Sequence, residues 1–253
     1  MDSKPDARSH WGTGEKGAQN PPGSGFLLPP ANSTRVNRTI HDGCIGIRRS
    51  RDTTGIPGPP FYRKEFEEAY RLIIDDYQVT PKEIALFLPC AVKKPYSQSP
   101  SHRLFRRVID DVLDPADYHI VIFGTCGTVP AELECMHPFR NYRYMLGKTV
   151  DWRVLRDFHR IEVYRLRGYL EKTRDTYRRR LAYCIGPFRA AMGEASEDAG
   201  IVVDLLPTDA TIERLYDTKS PFPEGSLSMP AYIDEFREGL MRLSRSPAEI
   251  PGK

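Results

Sequence analysis

The reactive side chains of this sequence are concentrated in one segment that runs from Pro89 to His102. It carries a thiol, an amine, a phenol, hydroxyls and an imidazole, on Cys90, Lys94, Tyr96, Ser97, Ser99, Ser101 and His102. A cysteine is strongly nucleophilic once it is ionised, and a neighbouring cation favours ionisation. An imidazole has a pKa near neutrality and can pass protons. The segment therefore predicts nucleophilic chemistry by Cys90, assisted by Lys94 and His102.

Each of these residues also has a purely structural interpretation. Ser99 followed by Pro100 is typical of a helix N-cap with proline at the first helical position. Cys90 taken alone is as readily a small buried apolar residue as a nucleophile, and His102 could lie on the surface at the helix start. A helix N-terminus also binds anions, so the hydroxyls and cations here could hold a phosphate. The residue types leave these alternatives open.

A second polar stretch places Glu132 and Glu134 shortly after Gly124-Thr125-Cys126-Gly127. A carboxylate in such a place could deprotonate an incoming amine. Acidic residues in the first turn of a helix, which complement its dipole, would give the same pattern. The nearby cysteines and His137 do not have the spacing of a zinc site, and we predict neither a metal nor another cofactor.

Hydrophobic periodicity predicts the elements that position these residues. Apolar positions favour strands over about 84–88, 118–123, 181–185 and 201–206, and helices over about 66–77, 104–112, 152–177, 188–198 and 231–243. Alternating strands and helices predict a three-layer α/β sandwich with a mostly parallel sheet, of the uracil-DNA-glycosylase-like or Rossmann-like type. Such sheets bind ligands at the carboxyl ends of their strands, which is where Cys90 falls.

Composition divides the chain into three parts. Residues 1–60 are rich in Gly, Pro, Ser and Asn and predict a flexible arm, residues 61–245 predict the catalytic domain, and residues 246–253 predict a disordered tail. No apolar run approaches the roughly 18 residues of a membrane span, and the polar N-terminus does not resemble a signal peptide. We therefore expect a cytoplasmic protein without a membrane partner. The five cysteines are odd in number and widely spaced, which favours thiols.

Charge is distributed unevenly along the sequence. Residues 140–180 carry thirteen Lys or Arg against five acidic residues, and residues 194–238 carry eleven acidic residues against three basic ones. A basic face suits a polyanion such as nucleic acid, because phosphate contacts supply much of the affinity for it. A solvated helix surface is the alternative.

The two polar stretches together resemble a known family. The residues Pro89, Cys90, Lys94-Pro95-Tyr96, Ser99 and His102 fit the pattern Pro-Cys-x3-Lys-Pro-Tyr-x2-Ser-x2-His, which is typical of the core domain of archaeosine synthases, a DUF5591-like domain. The segment Val129-Pro130-Ala131-Glu132-Leu133-Glu134 is similar to the second motif of that family. The resemblance covers about residues 62–210, and we expect no counterpart in this sequence of the transglycosylase-like and RNA-binding domains of the archaeal enzymes.

The resemblance implies an amidotransferase-like or nitrile-hydrating enzyme that acts on 7-cyano-7-deazaguanine (preQ0) in tRNA or DNA. An amine or water would be added to the nitrile, through a thioimidate on Cys90 or directly. The implied catalytic residues are Cys90, Lys94 and His102. The implied substrate-binding residues are Pro95, Tyr96, Ser97, Ser99, Glu132 and Glu134.

A transglycosylase or a radical enzyme would be a partner of such an enzyme. Two alternatives remain open. One is a non-catalytic module of the same fold that binds modified nucleic acid and a partner protein. The other is a base-excising glycosylase, which would need a water-activating carboxylate.

Overall fold

The computed structural model describes residues 58–220 and 222–245, all of which fall in one unit of the chain. Nearly all of the predicted arm and the whole predicted tail lie outside the described residues. At the centre is a sheet of five strands in the order β3-β2-β1-β4-β5. Strand β1 is Ile84–Pro89, β2 is Tyr118–Phe123, β3 is Val129–Pro130, β4 is Arg179–Tyr183 and β5 is Asp204–Leu206. All neighbours are parallel except β3, which pairs antiparallel with β2.

Helices cover both faces of the sheet. They are α1 (Lys64–Asp75), α2 (Pro100–Asp110), α3 (Trp152–Lys172), α4 (Gly186–Ala199), α5 (Asp209–Leu215) and α6 (Pro230–Arg245). Helices α1, α3 and α4 share one apolar core with the sheet, and α2 and α6 share the other. Alternate residues of β1 enter opposite cores, Phe87 one and Leu86 the other, because successive strand side chains point to opposite faces. The predicted three-layer α/β sandwich with a mostly parallel sheet is confirmed.

Two predicted elements are shorter than their apolar patterns. The strand predicted over 201–206 begins only at Asp204, because pairing with β4 starts there. Ile201 and Val203 are buried although they lie outside the ladder, whereas Val202 is 82% exposed. The helix predicted over 152–177 ends at Lys172. Tyr177 is buried beyond that helix, so its apolar character reports core packing and not helical structure.

The strand order has a topological switch point between β1 and β4. The chain leaves β1 toward β2 on one side, and it leaves β4 toward β5 on the other. Connections that diverge in this way leave an opening between the two strand ends, where doubly wound sheets bind ligands. Cys90 is the first residue after β1 and stands at the carboxyl edge of the sheet. Within the described residues no helix is long and apolar enough to cross a bilayer.

Candidate functional site

The thiol of Cys90 lies against the turn that follows β2. Its backbone N–H donates to the carbonyl of Phe123 at 2.8 Å, which fixes Cys90 beside Gly124. Its Sγ is 3.3 Å from the Thr125 hydroxyl. The thiol of Cys126, which donates to the carbonyl of Gly127 at 3.4 Å, is the neighbour that most lowers the pKa of Cys90. Gly124 has φ +125°, and a Cβ there would lie 3.1 Å from the Cys90 sulfur and still closer to another side chain. A glycine is therefore needed for the turn to close against the thiol.

The surroundings of Cys90 favour its ionised form. The hydrogen bond from Cys126 is the largest cause that lowers the pKa of Cys90, followed by the charge of Lys94 and hydrogen bonds from Thr125 and Tyr142. Together they outweigh burial and lower the pKa from 9.0 to about 5. Burial raises the pKa of Cys126 well above its ordinary value, so that thiol stays protonated and can donate. Cys90 is a half-buried residue outside any disulfide, and its lowered pKa makes it a thiolate at neutral pH.

The ammonium group of Lys94 lies over the rings of two tyrosines and next to the thiolate. Its Nζ is 3.9 Å from the ring centroid of Tyr142 and 4.8 Å from that of Tyr96. The ammonium also donates to the carbonyls of Ala91 and Val92. Burial lowers the pKa of Lys94, while the neighbouring thiols oppose that shift. A lysine whose pKa is lowered in this way releases its proton more readily than one in water.

Tyr96 and Tyr142, the two tyrosines in contact with Lys94, lie inside the protein. Both side chains are fully buried, and their hydroxyls lie 3.0 Å apart. Burial raises the pKa of both phenols well above their ordinary value, so they remain neutral. The ring of Tyr96 therefore supports Lys94 from below, and it is not exposed for stacking on a base.

The remaining residues of the motif shape the loop between β1 and α2. Glu134 accepts a hydrogen bond from the backbone N–H of Ser97 at 2.9 Å and so ties the second motif to the first. Ser99 accepts from the N–H of His102 at 3.2 Å and is the N-cap of α2. Pro95 and Ser97 are only partly buried and lie at the surface of this loop. The structure thus brings both motifs together around the loop.

His102 lies beneath the loop and is fully buried. Its Nε2 donates to the carbonyl of Pro89 at 2.9 Å, and its Nδ1 has no hydrogen-bond partner among the described residues. Burial lowers the pKa of His102 to about 4, so the ring is neutral. The one hydrogen bond of this ring holds the end of β1, immediately before Cys90, and does not reach the thiol.

Glu132 is not brought together with Cys90. Its carboxylate lies 2.9 Å from Nε2 of His119 and accepts a hydrogen bond from Tyr77. His119 is the second residue of β2, so Glu132 stands at the amino ends of the parallel strands, whereas Cys90 stands at their carboxyl ends. Burial acts to raise the pKa of Glu132, but these partners lower it overall.

Sequence reasoning missed four residues that touch the thiol or its turn: Thr125, Cys126, Tyr142 and Glu162. The buried carboxyl of Glu162 accepts from the N–H of Gly124 at 2.7 Å, and burial raises its pKa to about 8. Glu162 lies four residues from both Phe158 and Leu166, on the buried face of α3. A carboxylate on an apolar stripe was the signal that could have revealed it. Tyr142 carries no such local signal.

The site combines a nucleophile with several proton donors. A thiolate, an ammonium and two neutral hydroxyls, of Thr125 and Tyr142, meet at the carboxyl edge of β1 and β2. Such a set can add sulfur to an electrophilic carbon and neutralise the charge that develops on the adjoining atom. Among the described residues no group of His, Cys, Asp and Glu is arranged to hold a metal ion. Of the other cysteines there, Cys126 and Cys184 are free thiols, whereas Cys135 is disulfide-bonded and contradicts the expectation of thiols.

Comparison with known proteins identifies similar sequences. A family model described as a domain of unknown function (DUF5591) matches residues 66–213, a range that contains both motifs. The chain is 33% identical over 81 residues to the archaeosine synthase subunit alpha of Thermoplasma acidophilum, and 36% identical over 98 residues to the archaeosine synthase of Haloferax volcanii. It is 29% identical over 135 residues to the archaeosine synthase subunit alpha of Methanosarcina acetivorans.

These matches cover part of each protein. They include 32%, 39% and 53% of this chain, in the order given above. They include only 16%, 15% and 20% of the respective relatives. The similarity is therefore to one portion of much longer proteins.

Proposed function

This chain belongs to the DUF5591 family, and from that premise we propose that it is an enzyme that adds an amine or water to the nitrile of 7-cyano-7-deazaguanine carried in RNA. Residues 61–245 would be its catalytic domain. The observation that carries the proposal is the placement of the Cys90 sulfur, 3.3 Å from the Thr125 hydroxyl and beside the Lys94 ammonium, which together favour its thiolate. A nitrile carbon is electrophilic but reacts slowly, and such a thiolate divides one difficult addition into two easier steps.

In the first step, the Cys90 thiolate attacks the nitrile carbon and forms a carbon–sulfur bond. One π electron pair of the nitrile moves to nitrogen, and that nitrogen takes a proton from the Lys94 ammonium. The product is a neutral thioimidate. Lys94 suits this role because burial lowers its pKa, so the proton is released more readily. Thr125 and Tyr142 stand beside the sulfur as further hydrogen-bond donors.

In the second step, an amine adds to the thioimidate carbon and the carbon–sulfur bond breaks. The sulfur leaves as the thiolate, which the hydrogen bond from Cys126 and the charge of Lys94 stabilise. The proton lost by the amine returns to Lys94, so both groups regain their starting states. The product is an amidine, and water in place of the amine gives an amide. The low pKa of Cys90 makes its thiolate a good leaving group.

The other predicted site residues would position this pair. We propose His102 as a positioning residue, because its hydrogen bond holds Pro89 immediately before the nucleophile. Tyr96, Ser99 and Glu134 would fix the loop in the same way. Pro95 and Ser97 lie at the surface of the loop and would contact the base. Glu132, at the far edge of the sheet, would have no contact with substrate.

Of the two polymers that the sequence resemblance implies, tRNA and DNA, the similarity to archaeosine synthases favours tRNA. Because the matched part amounts to at most 20% of a relative, RNA recognition would depend on a partner protein or on other sequence. If lysine is the added amine, a radical enzyme would be required to complete an unsubstituted amidine. A transglycosylase that installs the base would act beforehand.

Product analysis tests this proposal. Purified protein is incubated with an oligoribonucleotide carrying the cyano base and with lysine, with ammonia or with buffer alone, and the nucleosides are then identified by mass spectrometry. We expect an amidine with one of the amines, or an amide with water. The Cys90→Ser variant should form neither, and Cys184→Ser should match the wild type. Binding of the oligonucleotide without any product would contradict the proposal and favour a non-catalytic binding module.

A further inference from the structure

We infer that the first turn of α3 is a docking surface for a single-stranded segment of RNA, with the indole of Trp152 as the platform on which a base stacks. The inference rests on the proposed function for the choice of RNA. This Trp152 surface consists of Val150, Trp152, Arg153, Arg156 and Arg160.

Trp152 is unusually open to solvent. Trp152 is 61% exposed, and Val150, two residues before it, is 97% exposed. It is one of two tryptophans in the sequence, the other being Trp11. Large aromatic side chains normally gain much of their stabilising effect by burial, so an indole that stays in water suggests a partner that covers it.

Arginines flank the exposed indole. The guanidinium carbons of Arg153 and Arg156 lie 5.6 Å and 5.2 Å from the Trp152 ring centroid. Arg160 is a further exposed cation of the same helix, and Arg143 and Lys148 are exposed shortly before it in the chain. Aromatic rings set among cations are the feature with which proteins bind single-stranded nucleic acid, because bases stack on the ring while phosphates meet the charges.

Two carboxylates lie on this surface, and both have local partners. Asp151 caps α3 and accepts from the N–H of Arg153 at 2.9 Å. Asp157 accepts from the Tyr62 hydroxyl at 2.8 Å and pairs with Arg156 at 3.0 Å. Residues 143–160 carry five Lys or Arg against these two carboxylates, so the segment around Trp152 is positively charged.

The Trp152 surface lies on the same edge of the sheet as Cys90. Helix α3 leads into β4, which runs parallel to β1, so α3 runs in the opposite direction and begins at the carboxyl edge. Further along α3, Phe158 packs on Phe188 with ring centroids 5.4 Å apart. Phe188 in turn lies against Gly124, beside the thiol. A strand bound at the Trp152 surface can therefore extend toward the candidate site.

Fluorescence of Trp152 provides the test. In a Trp11→Phe background, Trp152 is the only tryptophan, and the protein is titrated with an unmodified single-stranded oligoribonucleotide. We expect saturable quenching, which reports stacking on the indole. By fluorescence anisotropy of a labelled oligonucleotide, Trp152→Ala should bind about tenfold to a hundredfold more weakly. Trp152→Tyr should retain most of the affinity. The matched control is Tyr216→Ala, which removes another exposed aromatic (51%) beyond α5 and should change nothing.

Salt and polymer type sharpen the result. Replacing Arg153 and Arg156 by Gln should reduce the dependence of log Kd on log salt by about one to two phosphate contacts. Absence of quenching, unchanged affinity of Trp152→Ala, or tighter binding of duplex RNA or single-stranded DNA would overturn the assignment. Because the oligonucleotide lacks the cyano base and the Cys90→Ser protein serves equally well, a failure here leaves the nitrile chemistry untouched. A failure of the chemistry likewise leaves this surface standing.

Discussion

Cys90 and Cys184 occupy equivalent places at the ends of two neighbouring strands. Each is the first residue after its strand, and each donates its backbone N–H to the last residue of the next strand, Cys90 to Phe123 and Cys184 to Leu206. The pKa values of their thiols are nevertheless shifted in opposite directions. The pKa of Cys90 is lowered to about 5 by its neighbours, whereas burial raises the pKa of Cys184 to about 12. One thiol is partly exposed and the other is fully buried.

The difference shows that the end of a strand supplies a location but not a reactivity. Cys90 faces a turn that offers Thr125 and Cys126 as donors, and a lysine whose charge opposes protonation. Cys184 belongs to the apolar core, where the charge of Arg189 opposes the effect of burial on its pKa but does not offset it. Hydrogen-bond donors and a cation, supplied by the connections after β1 and β2, convert a packing residue into a nucleophile.

The largest effect expected from this comparison is on turnover. Cys90→Ser should reduce the rate on cyano-base RNA by about a thousandfold or more, because the hydroxyl cannot ionise near neutral pH. Cys184→Ser removes an equivalent thiol and should keep the wild-type rate in the folded protein. Single-turnover assays with both variants give the answer. Equal losses in the two variants would mean that the strand-end position, and not the environment of Cys90, matters.

Replacing Lys94 separates its charge from its proton. Lys94→Gln should slow turnover by roughly a hundredfold, because both the cation and the acid are removed. Lys94→Arg keeps the cation but holds its proton too tightly to transfer it. We therefore expect Lys94→Arg to retain iodoacetamide labelling of Cys90 while losing turnover. Full activity of Lys94→Arg would eliminate proton transfer from this residue.

The hydrogen bond from Cys126 can be tested by the pH dependence of alkylation. In the wild type, labelling of Cys90 should be half-maximal near pH 5, because the thiolate forms as the pH rises through the pKa. Cys126→Ala removes the donor and should raise the pKa of Cys90, so the midpoint moves to higher pH. At a pH below both midpoints, labelling slows about tenfold for each unit by which the pKa of Cys90 rises, because the thiolate fraction falls tenfold. Cys126→Ser retains a donor and should stay near the wild type. If neither substitution moves the midpoint, Cys126 is not the cause of the low pKa of Cys90.

Much of this arrangement could be predicted from sequence. The apolar runs of β1 and β2 placed Cys90 at the carboxyl edge, and Ser99-Pro100 predicted the start of α2, because these signals are local. Glu132 could not be placed in the same way. The short antiparallel strand β3 reverses the chain after β2 and carries Glu132 back to the amino edge. The role of Tyr142 depends on contacts across the fold, which periodicity along the chain does not encode.

His102 gives a smaller effect, on stability. Its pKa is lowered from 6.5 to about 4, so the folded state holds the neutral ring. The stability that depends on this ring is present above pH 6.5 and is lost as the pH falls toward 4, because the unfolded chain takes up the proton first. At pH 5 the loss is about 2 kcal/mol in the free energy of unfolding.

Urea unfolding at pH 7 and pH 5 measures this loss for the wild type and two variants. His102→Gln can still donate to Pro89 and should show a smaller acid-induced loss, with Cys90 labelling retained. His102→Ala should be destabilised at both pH values and should label Cys90 poorly. An identical pH dependence in wild type and His102→Gln would remove His102 as the titrating group.

The smallest effect is expected at Glu132. Glu132→Gln weakens the hydrogen bonds with His119 and Tyr77 and should lower the free energy of unfolding by about 1 kcal/mol. Turnover should remain at the wild-type rate, because this carboxylate lies at the opposite edge of the sheet. The matched variant Glu134→Gln, at the loop that carries Ser97, should reduce turnover. A large loss of turnover in Glu132→Gln, without one in Glu134→Gln, would contradict the claim that only the carboxyl edge of the sheet takes part in the reaction.

The central claim is that the sulfur of Cys90 bonds covalently to the nitrile carbon during turnover. Rapid acid quenching of wild-type protein with the cyano-base oligoribonucleotide, followed by digestion and mass spectrometry, tests this claim directly. We predict a thioimidate adduct on the peptide that contains Cys90, with the Cys184 peptide unmodified and no adduct in Cys90→Ser. Product formation without any adduct, together with continued turnover by Cys90→Ser, would contradict the account.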